Sequence, residues 1–379
     1  MKNLIFLLIL STSAAHSQQT INASITHGGL QRDYILYVPA NYTGTQNVPL
    51  LFNFHGYTSN ASQQMFYGDF RAIADTAGFI IVHPEGKLDG SGQTHFNVGW
   101  GGSSIDDLGF SSALIDSLMM DYAIDADRVY STGMSNGGFM SFHLACNLSS
   151  RIAAIASVTG SMVPSTVSNC AASHPTAIMQ IHGTSDGTVA YNGGGGISAS
   201  IPNVLTYWSN YNNTDATAIT TAVPNTNTLD GCTAEKIAYL NGDSCTEVVH
   251  YKITGGAHTW PGAPITIGVT NRDINASTEI WKFVSRFDIN GLRATCALST
   301  SALENEAFEL YPNPANNVIT LKGTFLEALN YEIIDALGKV VATGNVNTTN
   351  NTIDISKLKT DVYFLKLDNR TLKIVKTNN

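Results

Sequence analysis

The chain has few charged residues and, after its first residues, no long apolar run. Asp, Glu, Lys and Arg make up 13% of its 379 residues, and they form no basic cluster. All but one unit of the net charge of −9 lies in residues 1–301, which disfavours nucleic acid and anionic polymers as partners. No later run approaches the roughly eighteen apolar residues of a membrane-spanning helix, so we expect no membrane span.

The sequence also lacks the spacings that hold metal ions. Its five cysteines form no C-x-x-C pair, and no H-E-x-x-H motif occurs, so we expect neither a metal ion nor an organic cofactor. One interpretation pairs Cys146 with Cys170 and Cys232 with Cys245, leaving Cys296 over. Other connectivities stay open, since four cysteines alone permit about three of them.

The first 17 residues, MKNLIFLLILSTSAAHS, are typical of a secretory signal peptide. Lys2 supplies the positive start, Leu4 to Leu10 form the apolar run, and small residues such as Ala15 precede a cleavage site. We therefore predict a protein that begins near Gln18 and is secreted or displayed on the outer cell surface, where disulfides persist. We expect it to be a monomer.

Residues 22–290 alternate short apolar runs with helical patterns. Such alternation predicts an α/β domain, with a mostly parallel sheet covered by helices on both faces. The predicted strands are 33–39, 49–56, 78–86, 127–134, 152–160, 176–186 and 247–256, and the predicted helices are 65–78, 107–122, 136–148 and 275–287.

The composition changes after residue 290. Residues 291–304 read as a linker, and residues 305–379 alternate at period two between turn-forming pairs such as Leu337-Gly338 and Asp368-Asn369. This pattern predicts a small all-β sandwich at the C-terminus.

The stretch VYSTGMSNGGF (129–139) places Ser135 between Gly133 and Gly137. This G-x-S-x-G motif follows a predicted strand and precedes a predicted helix, which is where a nucleophile elbow requires its serine. A plain surface turn is the alternative. Asp186 and His258 each follow a later strand, and the chain order Ser, Asp, His is that of an α/β-hydrolase triad. We therefore predict Ser135 as nucleophile, Asp186 as orienting acid and His258 as base.

Other residues compete for these roles. Asp106 and Asp107 are the rivals of Asp186, although they precede a helix and capping explains them. His182 is a second candidate base, but at the end of a strand it fits a local role in fixing its loop better. The remaining candidates are interpreted as structural, His55 in a loop and His143 and His250 inside a helix and a strand.

A tetrahedral intermediate needs two backbone N–H donors. We predict them at Asn136, the residue after the nucleophile, and at Tyr57, in the loop FNFHGYTSN (52–60). Tyr57 is also a candidate for contact with the substrate, as are the glycine-flanked or histidine-flanking tryptophans Trp100 and Trp260.

Several stretches together resemble the polyhydroxybutyrate-depolymerase and feruloyl-esterase group of secreted carbohydrate esterases. They are NFHGYTSN, IDDLGFSSALIDSL, DADRVYSTGMSNGGF, IHGTSDGTVAYNGG and GGAHTWPG, within residues 22–287. The chain lacks the cysteine that some feruloyl esterases carry after the HG pair. The resemblance implies a serine carboxylic-ester hydrolase for feruloyl or acetyl esters of plant polysaccharide; the alternative substrate is a polyhydroxyalkanoate or synthetic polyester. A catalytically inactive binding protein and a peptidase are further alternatives.

The tail resembles the sorting domain of type IX secretion cargo. ELYPNPANNVITL (309–321), YEIIDALGKVV (331–341), IDISKLKTDVYFLKL (353–367) and KIVKTN (373–378) carry the resemblance. It implies recognition by the type IX secretion machinery, followed by removal of the tail or attachment at the surface. Without the resemblance a carbohydrate-binding module would fit equally well, although the tail has no tryptophan for stacking on sugars.

Overall fold

The computed structural model describes residues 18–294, 309–322, 329–335, 339–347, 350–367 and 370–377. The predicted signal peptide, most of the predicted linker and Cys296 lie outside them. The chain divides near residue 296 into two compact units, described separately below. In the described residues no helix is both long enough and apolar enough to cross a membrane.

The first unit consists of strands and helices in alternation. Its strands are β1 (Gln19–His27), β2 (Leu30–Val38), β3 (Val48–Phe54), β4 (Ile80–Pro84), β5 (Lys87–Leu88), β6 (Thr94–His95), β7 (Ile124–Met134), β8 (Ala154–Val158), β9 (Ala177–Gly183), β10 (Ile219–Ala222), β11 (Thr233–Tyr239), β12 (Val248–Thr254), β13 (Phe287–Asp288) and β14 (Gly291–Leu292). Its helices are α1 (Ala61–Tyr67), α2 (Arg71–Ala77), α3 (Asp107–Asp121), α4 (Asn136–Asn147), α5 (Pro164–Asn169), α6 (Ile201–Tyr211) and α7 (Ala276–Val284).

Ten of these strands form one sheet, in the order β1-β2-β4-β3-β7-β8-β9-β12-β11-β10. The six strands from β4 to β12 in this order are parallel, and the outer strands on both sides are antiparallel. Strands β4, β8 and β9 are buried along their whole length. Two separate hydrophobic clusters cover the two faces, which confirms the predicted α/β architecture.

The structure departs from the predicted elements at several places. The predicted helix 65–78 is two helices, because Gly68 ends α1 and the Asp69 side chain accepts from the backbone N–H of Arg71 before α2 begins. Helix α6 and strands β1, β10 and β11 were not predicted.

One of the two interpreted disulfides is present. Cys146 at the end of α4 is bonded to Cys170 just after α5. The pairing of Cys232 with Cys245 is wrong: Cys232 is a free, buried thiol, and Cys245 is disulfide-bonded elsewhere. The seven-residue strand β11 lies between them. A strand of that length spans about 23 Å, far beyond the roughly 6 Å that a disulfide bridges between Cα atoms.

The second unit is all-β, as predicted. Its strands are β15 (Glu309–Tyr311), β16 (Val318–Lys322), β17 (Leu329–Ile334), β18 (Val340–Val346), β19 (Thr352–Asp354), β20 (Asp361–Leu367) and β21 (Arg370–Lys376). They form a three-stranded sheet, β15-β16-β19, and a four-stranded sheet, β18-β17-β20-β21. One hydrophobic cluster joins the sheets, with Ile319 and Leu321 from the first and Ile333 and Leu365 from the second.

Candidate active site

The parallel strands bring the predicted triad to one edge of the large sheet. Ser135 follows β7, Asp186 follows β9 and His258 follows β12, so all three lie beyond the carboxyl ends of parallel strands. Tyr57 follows β3, the neighbour of β7 on the other side. In open α/β sheets this edge is where ligands bind.

Ser135 stands on a strained corner between β7 and α4. Its backbone has φ 52° and ψ −119°, a conformation that non-glycine residues rarely adopt, and its N–H donates to Val158 O at 2.8 Å. Such a conformation costs about 1–3 kcal/mol and persists only where the surrounding structure imposes it. The corner therefore has the geometry of a nucleophile elbow.

The glycines on either side of Ser135 are required by close packing. A Cβ on Gly133 would lie 2.6 Å from Gly137 and from Phe54 O, and one on Gly137 would lie 2.2 Å from Phe54 O. Contacts this short do not occur for real Cβ atoms. The end of β3 can approach the elbow this closely only because both positions lack a side chain.

Asp186 is bonded to the predicted base. Its Oδ2 accepts from His258 Nδ1 at 2.7 Å, and its Oδ1 accepts from the backbone N–H groups of Thr188 and Val189 at 2.8 Å each. Burial alone would raise the pKa of Asp186, but the hydrogen bond from His258 and the nearby His182 ring outweigh it and hold the pKa well below the ordinary value. Asp186 therefore stays a carboxylate and orients the imidazole of His258.

The bond to Asp186 determines which nitrogen of His258 can act as base. Nδ1 carries the proton donated to the carboxylate, so Nε2 is an acceptor in the neutral ring. Within residues 18–294 no hydrogen bond joins Ser135 Oγ to this nitrogen. Catalytic hydrogen bonds are often formed only with substrate bound, so this geometry is compatible with a base role.

Two backbone N–H groups beside Ser135 are free to bind an anion. Those of Tyr57 and Asn136 donate to no described residue. The glycine before Tyr57 lies against the nucleophile, since a Cβ on Gly56 would be 3.4 Å from Ser135 Cβ. Asn136 opens α4, where the helix N-terminus favours negative charge. The two groups have the placement expected of oxyanion donors.

His55 sets the direction of the Tyr57 N–H. Its Nε2 accepts from Gly86 N at 2.9 Å, so the proton is on Nδ1, which donates to Gly56 O at 2.7 Å. In a trans peptide the C=O and the following N–H point in opposite directions, so the Tyr57 N–H is turned away from His55. Burial lowers the pKa of His55 to about 4, which keeps this tautomer neutral.

The side chains of Tyr57 and Trp100 lie in partly exposed loops. Tyr57 is 41% exposed, and its hydroxyl donates to Asp89 Oδ2 at 2.6 Å. Trp100 is half-buried; its indole N–H donates to Ile197 O at 3.1 Å and its ring packs edge-on against Phe139 of α4, four residues after the nucleophile. Both stay candidates for contact with a substrate. The participation of the glycine-rich loop at Ile197 was not predicted.

Trp260 is not a pocket residue, contrary to the prediction. It is 1% exposed, its indole N–H donates to Ser277 Oγ at 3.2 Å, and its ring packs edge-on against Phe70 in the core. The chain turns inward directly after His258, where Pro261 O accepts from Ala276 N at the start of α7. Trp260 therefore holds the loop that carries His258 by packing into the core.

The rivals of Asp186 bind partners other than His258. Asp106 caps α3 and lies 2.9 Å from His27 Nε2. Asp107 forms a buried ion pair with Arg32. Among the candidate bases, the rings of His182 and His250 are fully buried and hydrogen-bonded within the fold. None of these residues replaces the pair that Asp186 forms with His258.

The sheet order, with a strained serine corner between β7 and α4, is that of an α/β-hydrolase fold. Residues 32–201 match the family described as Esterase PHB depolymerase, and residues 309–378 match the secretion system C-terminal sorting domain. Both families are those that the sequence suggested. Residues 32–201 are thus similar to this esterase family, and residues 309–378 are similar to the sorting-domain family.

Individual relatives are similar over parts of the chain. A bifunctional acetylxylan esterase/xylanase from Neocallimastix patriciarum is 27% identical over 72% of this chain and 36% of its own length. A probable feruloyl esterase C from Aspergillus clavatus is 32% identical over 44% of this chain and 59% of its own. The chain thus spans 36% and 59% of these two relatives. A solved acetyl xylan esterase from Aspergillus awamori is 16% identical, with a TM-score of 0.49 covering 71% of this chain and 99% of that one.

Proposed function

We propose that this protein hydrolyses carboxylic esters with Ser135 as nucleophile, His258 as base and Asp186 as orienting acid. The observation that carries the proposal is the strained corner at Ser135, placed at the same sheet edge as a hydrogen-bonded carboxylate–imidazole pair. Strain at a polar side chain that sits beside free backbone donors is the arrangement that acyl transfer requires.

In the proposed reaction each of these groups has one role. His258 Nε2 takes the hydroxyl proton as Ser135 Oγ bonds to the ester carbonyl carbon, and the Tyr57 and Asn136 N–H groups hold the oxyanion. The bond to the alcohol oxygen breaks, and His258 returns the proton to that oxygen. Water then attacks the acyl-enzyme, giving one proton to His258, which passes it to the departing Ser135 oxygen. Asp186 stabilises the imidazolium at each stage.

For the substrate we propose feruloyl or acetyl esters of plant polysaccharide. Relatives over the esterase region include proteins named as acetylxylan and feruloyl esterases. Trp100 and Tyr57 offer aromatic surface in loops at the site, which suits an aromatic acyl group or a sugar ring. Residues 22–290 would form the esterase domain.

We further propose that the protein is exported by a type IX system. Residues 1–17 would act as a cleaved signal peptide, residues 291–304 as a linker and residues 305–379 as the sorting domain. The match of residues 309–378 to a secretion sorting family supports export. Cell fractionation of a secreting host, with and without residues 305–379, tests this: loss of the tail should leave the protein inside the outer membrane.

The activity is tested by product release from methyl ferulate and acetylated xylan by the purified protein. Ser135→Ala is the control, and a fluorophosphonate probe should label the wild type but not this variant. Labelling of Ser135→Ala would show that another residue is the nucleophile. A wild type that neither labels nor releases product would favour the inactive binding protein instead. Turnover of matched amides faster than esters would favour a peptidase.

An exposed apolar strip favours a second candidate substrate, an insoluble polyester. Ile265, Ile267 and Val269 are 47%, 55% and 37% exposed in the loop that follows His258. The backbone of this loop is held in place, since Val269 O accepts from Ala257 N at 3.0 Å and the Arg272 guanidinium donates to Ala263 O and Thr266 Oγ1. A fixed apolar strip beside the catalytic histidine would adsorb to an apolar polymer.

The double variant Ile265→Ser, Ile267→Ser separates the two substrates. If polyester is the substrate, release from a polyhydroxybutyrate film should fall severalfold while methyl ferulate turnover stays unchanged. If the wild type releases no product from the film, polyester is excluded as the substrate, the polysaccharide ester remains the proposed one, and the strip has another role.

A further inference from the structure

His182 lies against the carboxylate of the proposed triad. Its Nε2 is 3.3 Å from Asp186 Oδ2, the same oxygen that accepts from His258 Nδ1 at 2.7 Å. The side chains of His182 and Asp186 are both fully buried, whereas that of His258 is 19% exposed. Two imidazoles thus lie against one carboxylate oxygen: that of His182 on the side of the protein interior and that of His258 on the partly exposed side.

The tautomer of His182 follows from its other partners. Gln180 Nε2 donates to Gly160 O at 3.0 Å, which identifies the nitrogen of this amide, and the same atom donates to His182 Nδ1 at 3.0 Å. His182 Nδ1 is therefore an acceptor. Its Nε2 lies 2.8 Å from Val189 O, an acceptor only, so Nε2 carries the ring proton. That proton is donated to Val189 O, and the same Nε2 lies 3.3 Å from Asp186 Oδ2.

The loop bearing Asp186 is closed by the same contacts. Val189 donates its N–H to Asp186 Oδ1 while its C=O accepts from His182. Moving His182 would therefore release both the carboxylate and the loop that positions it. A neutral donor in a buried site can stabilise the carboxylate at no cost in buried charge.

We propose that His182 is a positioning residue for ester hydrolysis, which holds Asp186 toward His258 through its hydrogen bond to Val189 O and its close contact with Asp186 Oδ2. The proposal rests on the proposed function of the triad. The contacts of Asp186 with His182 and His258 lower its pKa against the raising effect of burial. The other titratable groups near His182 are Tyr191, His250 and Lys252. The Tyr191 hydroxyl and His250 Nε2 lie 3.0 Å apart, and Lys252, opposite His182 on β12, donates to Glu235.

His182→Leu removes the donor and tests the proposal in the full-length protein. We expect kcat for methyl ferulate to fall about ten- to hundredfold with KM unchanged, because the loop that positions Asp186 loses its hydrogen bond to His182 and the carboxylate loses the adjacent N–H. The acid limb of the kcat/KM profile should also move to higher pH, because a carboxylate with one donor fewer holds the proton of His258 more strongly. His182→Gln, which keeps an N–H within reach, should restore most of kcat.

His250→Leu is the matched control. His250 is equally buried, occupies the neighbouring strand β12 opposite Gln180, and bonds to Gln180 O and Tyr191. It should lose stability as His182→Leu does, yet keep the wild-type kcat and pH profile. Equal Tm losses in the two variants, with kcat and the profile unchanged in both, would reduce His182 to a packing residue and overturn the proposal.

Two further outcomes keep the test decisive. If His182→Leu does not fold, His182→Gln and His182→Asn replace it: they differ by one methylene, and only the glutamine amide reaches Asp186, so equal kcat values would refute the proposal. A wild type with no Ser135-dependent ester turnover would instead refute the proposed function. An active wild type with an unaffected His182→Leu would refute only the role of His182.

Discussion

The catalytic edge of the large sheet consists of Ser135, His258 and the N–H groups of Tyr57 and Asn136. It differs from the rest of the first unit, called the frame below, in how its polar groups are bonded. At the edge, the Tyr57 and Asn136 N–H groups and His258 Nε2 bind no described residue, and Ser135 is strained. In the frame, several polar side chains are paired with one another, as in the buried Arg32–Asp107 ion pair and the bond from Trp260 to Ser277. The edge thus keeps bonding capacity for a substrate, whereas the frame uses its capacity for stability.

The largest contrast between edge and frame is expected for two carboxylates. Asp186→Asn should lower kcat about ten-thousandfold in a folded protein, because the amide favours the wrong tautomer of His258. Asp107→Asn should leave kcat unchanged but lower the free energy of unfolding by about 3–5 kcal/mol, because it leaves the buried Arg32 charge uncompensated.

Steady-state kinetics and urea unfolding of both variants check this contrast. A near-normal kcat for Asp186→Asn, with a loss of kcat in folded Asp107→Asn, would transfer the acid role to α3 and remove the distinction.

Trp260→Ala should be the largest stability effect among the aromatic residues near the site. The indole is almost completely buried and bonded to Ser277. Its loss should cost about 3–5 kcal/mol of the free energy of unfolding. Chemical denaturation measures this, with kcat of the folded fraction as control. A stable variant with a raised KM would show instead that Trp260 lines the binding pocket.

Buried histidines of the frame should make stability depend on pH. Burial lowers the pKa of His55 to about 4 and those of His83 and His250 to about 3. An unfolded histidine takes up its proton near pH 6.5, so between about pH 6.5 and 3 the unfolded state binds more protons than the folded one. The free energy of unfolding should therefore fall as pH is lowered through this window.

Thermal unfolding at intervals from pH 7.5 to 4 follows this effect. His250→Leu, with one titrating group fewer, should show a shallower fall in Tm than the wild type. A Tm that stays level or rises on acidification would contradict the buried neutral state of these rings.

The smallest effect is expected for Trp100→Ala. Its half-buried ring contacts Phe139 and the loop at Ile197, so its loss should cost little stability. If it contacts substrate, KM for methyl ferulate should rise several-fold, with kcat changed less. Trp260→Ala is the matched comparison, and unchanged KM for Trp100→Ala would remove it from the binding surface.

Local sequence patterns were sufficient to predict the strands and the helix that carry the proposed triad. The apolar runs of β3, β7, β9 and β12 and the helix after Ser135 were all predicted, because each is a local periodicity. Helix α6 was missed although Ser200 caps it and Pro202 opens it, a signal that a capping search would have found. Strand β1 alternates Ile21, Ala23 and Ile25 with polar residues, a signal that a period-two search would have found, whereas β10 is exposed throughout and shows no apolar pattern.

Long-range packing lay beyond such patterns. Trp100 and Trp260 both lie next to glycine or proline near the site, so their sequence contexts are alike. Trp260 is buried and Trp100 is not, because the chain turns inward toward α7 after His258. The cysteine pairing failed for the same reason, since a whole strand intervenes between Cys232 and Cys245. Two residues close in sequence can thus lie far apart in space.

The sequence by itself determined the α/β alternation, the all-β tail and the order of Ser135, Asp186 and His258, because periodicity and strand ends are local properties. Tertiary structure alone decided that Asp186 rather than Asp107 meets His258, that His182 joins them, and that Trp260 lies in the core. These outcomes depend on which strands become neighbours and which side chains are buried, and burial is a property of the whole fold.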